Sequence, residues 1–453
     1  MRTLRRIRPL GLGALLAAGA LRSEAQTALP SSSELKKFIV DQLMDLEVTS
    51  VSKHPEKLFA AASAIQVVTD EDIRRSGATS LPEALRLASN LEVAQIDARQ
   101  WAITARGFNN VFADKMLVLL DGRTVYTPLY AGVYWDVQDT LLQDLDRIEV
   151  IRGPGAAQWG ANAVNGVINI TTKSARDTQG ALVTATVGSL EDSGAVRYGG
   201  QVAPGVYYRV YGKSVRSDES TRNNGTGAGD EWRLTQGGFR LDAATAAGNQ
   251  FTLQGDLYAG TFGRPGPDDI GAQGHNLLGR WSRDLGDGAD VRLQVYADHT
   301  HRRIPGSFTQ TLDTYDADFQ HRFSLAGGTH EIVWGLAYRV VDDDIVNTPA
   351  NAFLPPQVTH QWSSSFIQDE IALSDNRVRL TVGAKLEHND YTGFELGPTA
   401  RAAWTPDAKH TWWVAVSRAV RTPSRIDRDL YSPAAAPYRI AGGPGVVSEK
   451  LLA

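Results

Sequence analysis

The sequence predicts a mainly β fold: a transmembrane antiparallel β-barrel preceded by a small mixed α/β domain. Two observations carry that expectation. From residue 180 to the end, thirteen long β-runs follow one another without a convincing helix, and 448–452 reads as the start of a fourteenth. Their apolar and polar residues alternate consistently over 8–11 positions, a length that suits a tilted strand crossing a hydrocarbon layer. Phe251, Leu253, Leu257 and Ala259 oppose Gln250, Thr252, Gln254 and Asp256, and Val291, Leu293, Val295 and Ala297 oppose Arg292, Gln294, Tyr296 and Asp298. The connections alternate as well. Tight turns at 203–205, 244–248, 284–290, 326–329, 374–376 and 405–409 interleave with longer polar loops at 217–230, 260–272, 302–307, 342–357, 388–393 and 421–447. Periplasmic turns and extracellular loops of an outer-membrane barrel have this asymmetry. Trp232, Trp281, Trp334, Trp404 and Trp412 fall toward strand ends, as interfacial girdles would. A soluble sandwich would use shorter strands, and a β-helix would show a short fixed repeat.

The elements before the barrel follow from local signals. Residues 1–25 have a basic start (Arg2, Arg5, Arg6, Arg8), an apolar stretch at 10–21 too short to span a bilayer, and a Ser23-Glu24-Ala25 cleavage site, which together read as an export signal. Ser31 to Glu34 fits a capping box and opens a short helix at about 34–44. Residues 45–52 are β-prone with no partner strand nearby, and His54-Pro55 ends them. The mixed domain is expected over 58–175. It has a strand at 64–68, a helix capped by Thr69 and stopped by Gly77, and a second helix opened by Ser80 and Glu83 and running to Ala88. Strands follow at 92–96, 102–106, 116–120, 147–152 and 166–172, with Asp121-Gly122 as a turn.

Composition narrows the function classes. The 453 residues are 42% hydrophobic and 21% charged and contain no Cys, so there is no disulfide framework, thiolate metal site or cysteine nucleophile. Mean hydropathy of −0.25 and the lack of an 18-residue apolar run exclude a helical membrane protein but not a β-barrel. Without residues 1–25 the formal net charge falls from −5 to −9, which argues against a general nucleic-acid binder. No catalytic or metal constellation emerges, and no cofactor is expected. The glycine-rich stretch from Gly153 to Gly160 fits no phosphate loop and reads as a tight irregular turn. His299 and His301, with Arg302 and Arg303, lie near a loop-side rim; they are either a ligand-binding cluster or a solvated edge. Asp342-Asp343-Asp344 reads as a solvated loop start.

Four motifs are more specific: Ala105-Arg-Gly-Phe108, Leu117-Val-Leu-Leu-Asp-Gly122, Asp146-Arg-Ile-Glu-Val-Ile-Arg-Gly-Pro-Gly155 and Gly160-Ala-Asn-Ala-Val-Asn-Gly-Val-Ile-Asn-Ile170. In order and spacing they resemble the plug domain of TonB-dependent outer-membrane receptors, and Ala415 to Ser424 resembles a barrel strand of the same family. The resemblance covers about 45–175 in detail and 176–453 in architecture. It implies a plug inside a barrel of 22 strands, an outer-membrane location, and active transport without covalent chemistry. The expected partners are TonB, outer-membrane lipids and a small nutrient ligand, with a ferric siderophore the default cargo. Cobalamin, haem or a glycan are alternatives; no nucleic acid is expected, and the protein should be a monomer.

Asp45, Leu46, Glu47, Val48, Thr49, Ser50, Val51 and Ser52 stand where the family carries its TonB box, an extended segment open to capture by strand addition, or else form a plain linker. Arg106 and Arg152 match family arginines that pair with barrel acids and lock the plug, or else only stabilise the plug itself. Gly107, Gly153, Gly155 and Gly166 would let the plug approach barrel backbone. Haem is disfavoured because 411–453 contains no His. A passive porin or adhesin would share the barrel but need neither plug nor box. At about 21 residues per strand, the 274 residues from 180 to 453 would leave some nine of 22 strands to be supplied by further chain.

Overall fold

The computed structural model describes residues 47–48, 56–266, 268–374, 376–407 and 410–453. The expected export signal and the helix at 34–44 lie outside the described residues.

The mixed domain is built largely from local rules. β3 (Ala64–Thr69) runs into α1 (Asp70–Ser76), where Thr69 and Asp72 exchange side-chain and backbone hydrogen bonds in a full capping box. Gly77, at φ 75°, turns the chain out in the left-handed region. α2 (Leu81–Leu85) starts at Ser80 but stops short of Ala88, and the Glu83 carboxylate takes the Thr79 N–H at 2.8 Å. β4 (Glu92–Gln95) pairs with β5 (Trp101–Thr104). A five-stranded sheet is completed by β6 (Met116–Leu120), β7 (Arg123–Thr124), β8 (Leu145–Arg152) and β9 (Gly166–Thr172), in the order β3-β8-β9-β6-β7. Only β6 and β9 run parallel. Asp121 and Gly122 both adopt positive φ, the two-residue turn that suits a hairpin.

Apolar side chains cover both faces of this sheet. Ile148, Val150, Ile168 and Ile170 pack with Ile73, Leu81 and Leu85 on one side, and Leu117, Leu119, Ile151 and Val167 pack with Val48 and Ala61 on the other. Gly166 serves that packing rather than an approach to the barrel, because a Cβ there would stand 2.1 Å from the Ile151 carbonyl oxygen. Between Gly153 and Gly160 the chain makes one helical turn, α3 (Ala156–Trp159), not a wholly irregular one.

Glu47 and Val48 form β1 and pair with β2 (Glu56–Lys57). This corrects the expectation that the segment lacks a partner strand. Val48, at 0% exposure, is drawn into the apolar cluster under β6 and β9, and that burial holds the short ladder. Asp45, Leu46, Thr49, Ser50, Val51 and Ser52 lie outside the described residues.

The second sheet has fourteen strands in meander order, each antiparallel to the next. They are β10 (Gly180–Val187), β11 (Glu191–Ala203), β12 (Val206–Ser217), β13 (Trp232–Ala244), β14 (Asn249–Phe262), β15 (Ile270–Gly286), β16 (Ala289–Ile304), β17 (Phe308–Leu325) and β18 (His330–Val346). After a short excursion, β19 (Ala352–Phe353), come β20 (Gln357–Leu373), β21 (Val378–Asn389), β22 (Gly393–Asp407) and β23 (His410–Arg421). A long connection then carries α4 (Arg425–Asp429), β24 (Leu430–Ser432) and β25 (Ile440–Ala441) before β26 (Glu449–Leu452) pairs with β23. The sheet curls around the mixed domain. On β16, Gln294, Tyr296 and Arg302 are buried facing it, while Leu293 and Val295 are exposed on the outside. Leu257, Leu336, Ile367, Val382 and Trp404 extend that exposed apolar belt.

At the loop end the strands outlast the apolar belt. Residues 302–304 belong to β16 and 342–346 to β18, where loops were expected. Asp343 is therefore not a solvated loop residue: it points inward at 2% exposure. Trp232 also departs from the girdle, turning inward to stack on Phe262 and to donate its indole N–H to the Ala98 carbonyl at 2.7 Å.

Candidate functional site

The plug meets the loop end of the barrel through its three apical segments, around 97–101, 108–113 and 128–136. There the two bodies enclose a cavity of about 290 Å³ lined mainly by apolar and aromatic side chains, among them Trp101, Phe112, Tyr130, Tyr134, Phe308 and Phe353. Phe112, Tyr130 and Tyr134 make successive edge-to-face contacts at 5.4 and 5.1 Å. Polar character enters at one point. Asp136 accepts from Arg302 at 2.7 and 2.9 Å and from Arg99 at 3.3 Å, and the Arg302 guanidinium lies 3.9 Å from the Tyr134 ring centroid. Burial pushes the Tyr134 phenol up to about 12, with Arg302 opposing and Asp136 adding to the shift, so Tyr134 faces the cavity as a neutral ring. The site offers aromatic surface plus two guanidiniums sharing one carboxylate, which suits a ligand with an apolar or aromatic face and polar or anionic edges.

The long connection after β23 roofs this cavity. Ile426 and Leu430 line it, and the backbone N–H groups of Arg425 and Ile426 donate to the Pro128 and Leu129 carbonyls of the plug at 3.1 and 2.9 Å. Arg425, at 0% exposure, pairs with Asp343 at 3.0 Å and Asp429 at 2.9 Å and also donates to the Pro355 carbonyl. Sequence reasoning passed over Arg425, Arg99, Asp136 and the Tyr130/Tyr134 pair, and took Asp343 for a solvated loop residue. Their only sequence signal is an aromatic-rich plug segment, Tyr130 to Trp135, with a carboxylate at its end.

The rim cluster expected from sequence divides. Arg302 points into the lumen and reaches Asp136, but His299, His301 and Arg303 alternate with it onto the outer face. His299 Nδ1 contacts Asp313 at 2.7 Å and its ring stacks on His275, while His301 Nδ1 contacts Thr311 at 3.0 Å. One strand cannot present positions 301, 302 and 303 to one side, because strand side chains alternate. Among the described residues no group of three metal-ligating side chains forms there or elsewhere.

The two arginines expected to lock the plug stand apart from the ion pairs between plug and wall. Arg106 and Arg152 are exposed and make no ion pair among the described residues; Arg106 sits at φ 64° with its guanidinium over Gly153. Plug and wall are tied instead by Asp144 with Arg197 and Arg209, Asp139 with Lys213, Arg123 with Asp298, Asp136 with Arg302, and Lys115 with Glu449. Three of these five ties put the acid on the plug and the base on the wall, so a search for plug arginines does not find them.

Residues 57–167 match the model of the TonB-dependent receptor plug domain, and residues 159–449 match that of the TonB-dependent receptor-like β-barrel. The chain belongs to the TonB-dependent receptor family. It is therefore an outer-membrane β-barrel protein. A vitamin B12 transporter, BtuB, of Vibrio cholerae is 32% identical over 152 residues, 33% of this chain and 24% of that protein. The iron-regulated outer membrane virulence protein of Vibrio cholerae is 25% identical over 416 residues, covering 83% of this chain and 60% of its own length. The crystal structure of the siderophore receptor PirA from Pseudomonas aeruginosa superposes with a TM-score of 0.65 at 19% identity, over 86% of this chain and 70% of that one. This receptor-family chain thus spans from a quarter to three fifths of the length of those curated relatives.

Proposed function

We propose that this protein is a TonB-dependent active transporter of a scarce nutrient, most simply a ferric siderophore or a similar iron complex, and not an enzyme. The observation that carries this reading is the plug itself. A folded domain sits inside the barrel, tied to its wall by ion pairs, with an aromatic, arginine-bearing cavity at the loop end. Passage then requires the plug to be moved, and a passive pore has no use for such a plug. In this reading residues 1–25 direct export, 26–57 reach the periplasm, 58–175 are the plug and 176–453 contribute barrel. The segment 45–52 is the one TonB captures by strand addition, and the two-residue β1–β2 ladder is short enough to be released in exchange. Outer-membrane lipids surround the apolar belt, and the protein works as a monomer.

A second cargo, cobalamin, is favoured by the 32% identity to a vitamin B12 transporter. Binding and uptake of iron-loaded enterobactin and of cobalamin by cells expressing the protein separate the two. Deleting 45–52 should abolish uptake while leaving surface binding intact. Undiminished uptake after that deletion would point to a passive porin instead.

A further inference from the structure

The charges that line the loop-end cavity do not cancel. Among the described residues its lining carries Arg99, Arg302 and Asp136 and no other charged side chain, so two guanidiniums stand against one carboxylate. The two arginines are not equally committed. Arg302 donates to both Asp136 oxygens at 2.7 and 2.9 Å, and its guanidinium lies 3.9 Å from the Tyr134 ring centroid and 5.9 Å from that of Phe262. Arg99 reaches Asp136 through one nitrogen at 3.3 Å, and its Nε is buried without a hydrogen-bond partner among the described residues. The Arg99 side chain is 13% exposed. A buried donor without an acceptor is costly, more so on a charged group, and a ligand oxygen that satisfies it gains accordingly.

The chain fixes Arg99 at its backbone and leaves its head free to change partner. The Asp97 carboxylate accepts the N–H groups of Arg99 at 3.0 Å and Gln100 at 2.7 Å, an Asx turn that shapes the segment. On the wall side, Ala98 donates its N–H to the Asp230 carboxylate at 2.9 Å and accepts the Trp232 indole N–H at 2.7 Å. A guanidinium presented from so fixed a segment loses little freedom when a ligand arrives. Beside it, Trp101, Phe112 and Tyr130 supply aromatic surface. The volume of about 290 Å³ is near the lower bound for a small-molecule site, so one ring with its substituents enters rather than the whole of a large ligand.

We propose that this cavity selects an aryl group bearing anionic oxygen, and that Arg99 is the specificity-determining residue that reads the charge. The ring enters among the aromatic side chains, the anionic oxygen accepts from the Arg99 guanidinium, and Arg302 keeps Asp136 neutralised with the two bonds it already makes. A neutral ligand of the same shape leaves Arg99 on Asp136 and forgoes a charge-assisted hydrogen bond, which is roughly twice as strong as a neutral one. The charge preference rests on the ligand-site reading above and concerns binding, not passage.

Salicylate and salicylamide share a ring and its ortho oxygen and differ in charge. Equilibrium dialysis of both against the full chain in lipid vesicles tests the assignment without any transport step. The wild-type chain should hold salicylate about tenfold or more tighter than salicylamide. Arg99→Gln should bring the two within about twofold. Arg99→Lys keeps the charge without the forked donors and should give an intermediate preference of about threefold. Iron-loaded enterobactin, whose aryl groups are anionic, should bind Arg99→Gln about tenfold more weakly, while cobalamin should shift by less than about twofold. Limited digestion checks that Arg99→Gln is folded, and if it is not, Arg99→Lys decides the residue. Equal wild-type binding of salicylate and salicylamide, no binding of either anionic probe, or an unchanged preference in a folded variant overturns the proposal. Cells that bind iron-loaded enterobactin through Arg99 without taking it up count against transport and leave the charge assignment standing. Uptake with an affinity indifferent to Arg99→Gln does the reverse.

Discussion

Arg425 has a full charge at 0% exposure and spends it on two carboxylates, Asp343 and Asp429, and on proline carbonyls of a neighbouring loop. Removing it leaves Asp343 buried without its cation, a loss of about 3–5 kcal/mol for a pair of this kind. Arg425→Ala should therefore expose loops 347–356 and 422–448 to proteolysis while the barrel stays folded, which limited digestion will read. Asp230 makes a gentler tie. Burial works against its carboxylate, yet hydrogen bonds from Ser220 Oγ, Ser220 N–H and Ala98 N–H outweigh that and hold it below the ordinary range. A depressed folded value means the tie is complete above the ordinary aspartate value of about 3.9 and fades as pH falls through the lower folded value. Protease sensitivity of loop 218–231 should accordingly rise below about pH 4, and Asp230→Asn should flatten that dependence. Neither residue stands out in the sequence, because an arginine in a polar loop and an aspartate at its end look like solvated surface until their partners, 82 and 132 positions away, are known.

The barrel strands are the elements most fully legible in advance. Alternation over β14 and β16 assigns Leu257 and Val295 to one face and Gln254 and Gln294 to the other, and the structure places the first pair on the exposed apolar belt and buries Gln294 in the lumen. Leu257→Arg should cost about 2–4 kcal/mol on membrane insertion if that residue lies near the bilayer midplane. A heat-modifiability or urea-titration assay in lipid vesicles measures it, and Gln254→Arg on the opposite face should cost far less. Strand ends were less legible. Alternation does not say where lipid stops, and β16 and β18 stay paired beyond it, which carries Asp343 inward and leaves His301 and Arg303 outside. The α1 boundaries were exact to a residue because a capping box and a left-handed glycine are local devices. The end of α2 has no such device, and that helix closed a turn early.

At the scale of the molecule, plug and wall form one charge-balanced body. Acids on the plug meet bases on β11–β13, bases on the plug meet acids on β16 and β26, and two loop-end arginines share Asp136. The sequence by itself determined the mainly β class, the plug motifs, the alternation of faces and the alternation of turns with loops. All of these depend on residues within about ten positions of one another, where backbone periodicity and turn chemistry act. Only the tertiary structure decided which charges meet, that Arg106 and Arg152 make no ion pair among the described residues, that Val48 is buried, and that the loop-end cavity is aromatic. Those outcomes join residues from about 50 to more than 300 positions apart, and the energy of an ion pair depends on distance and burial that no local pattern encodes.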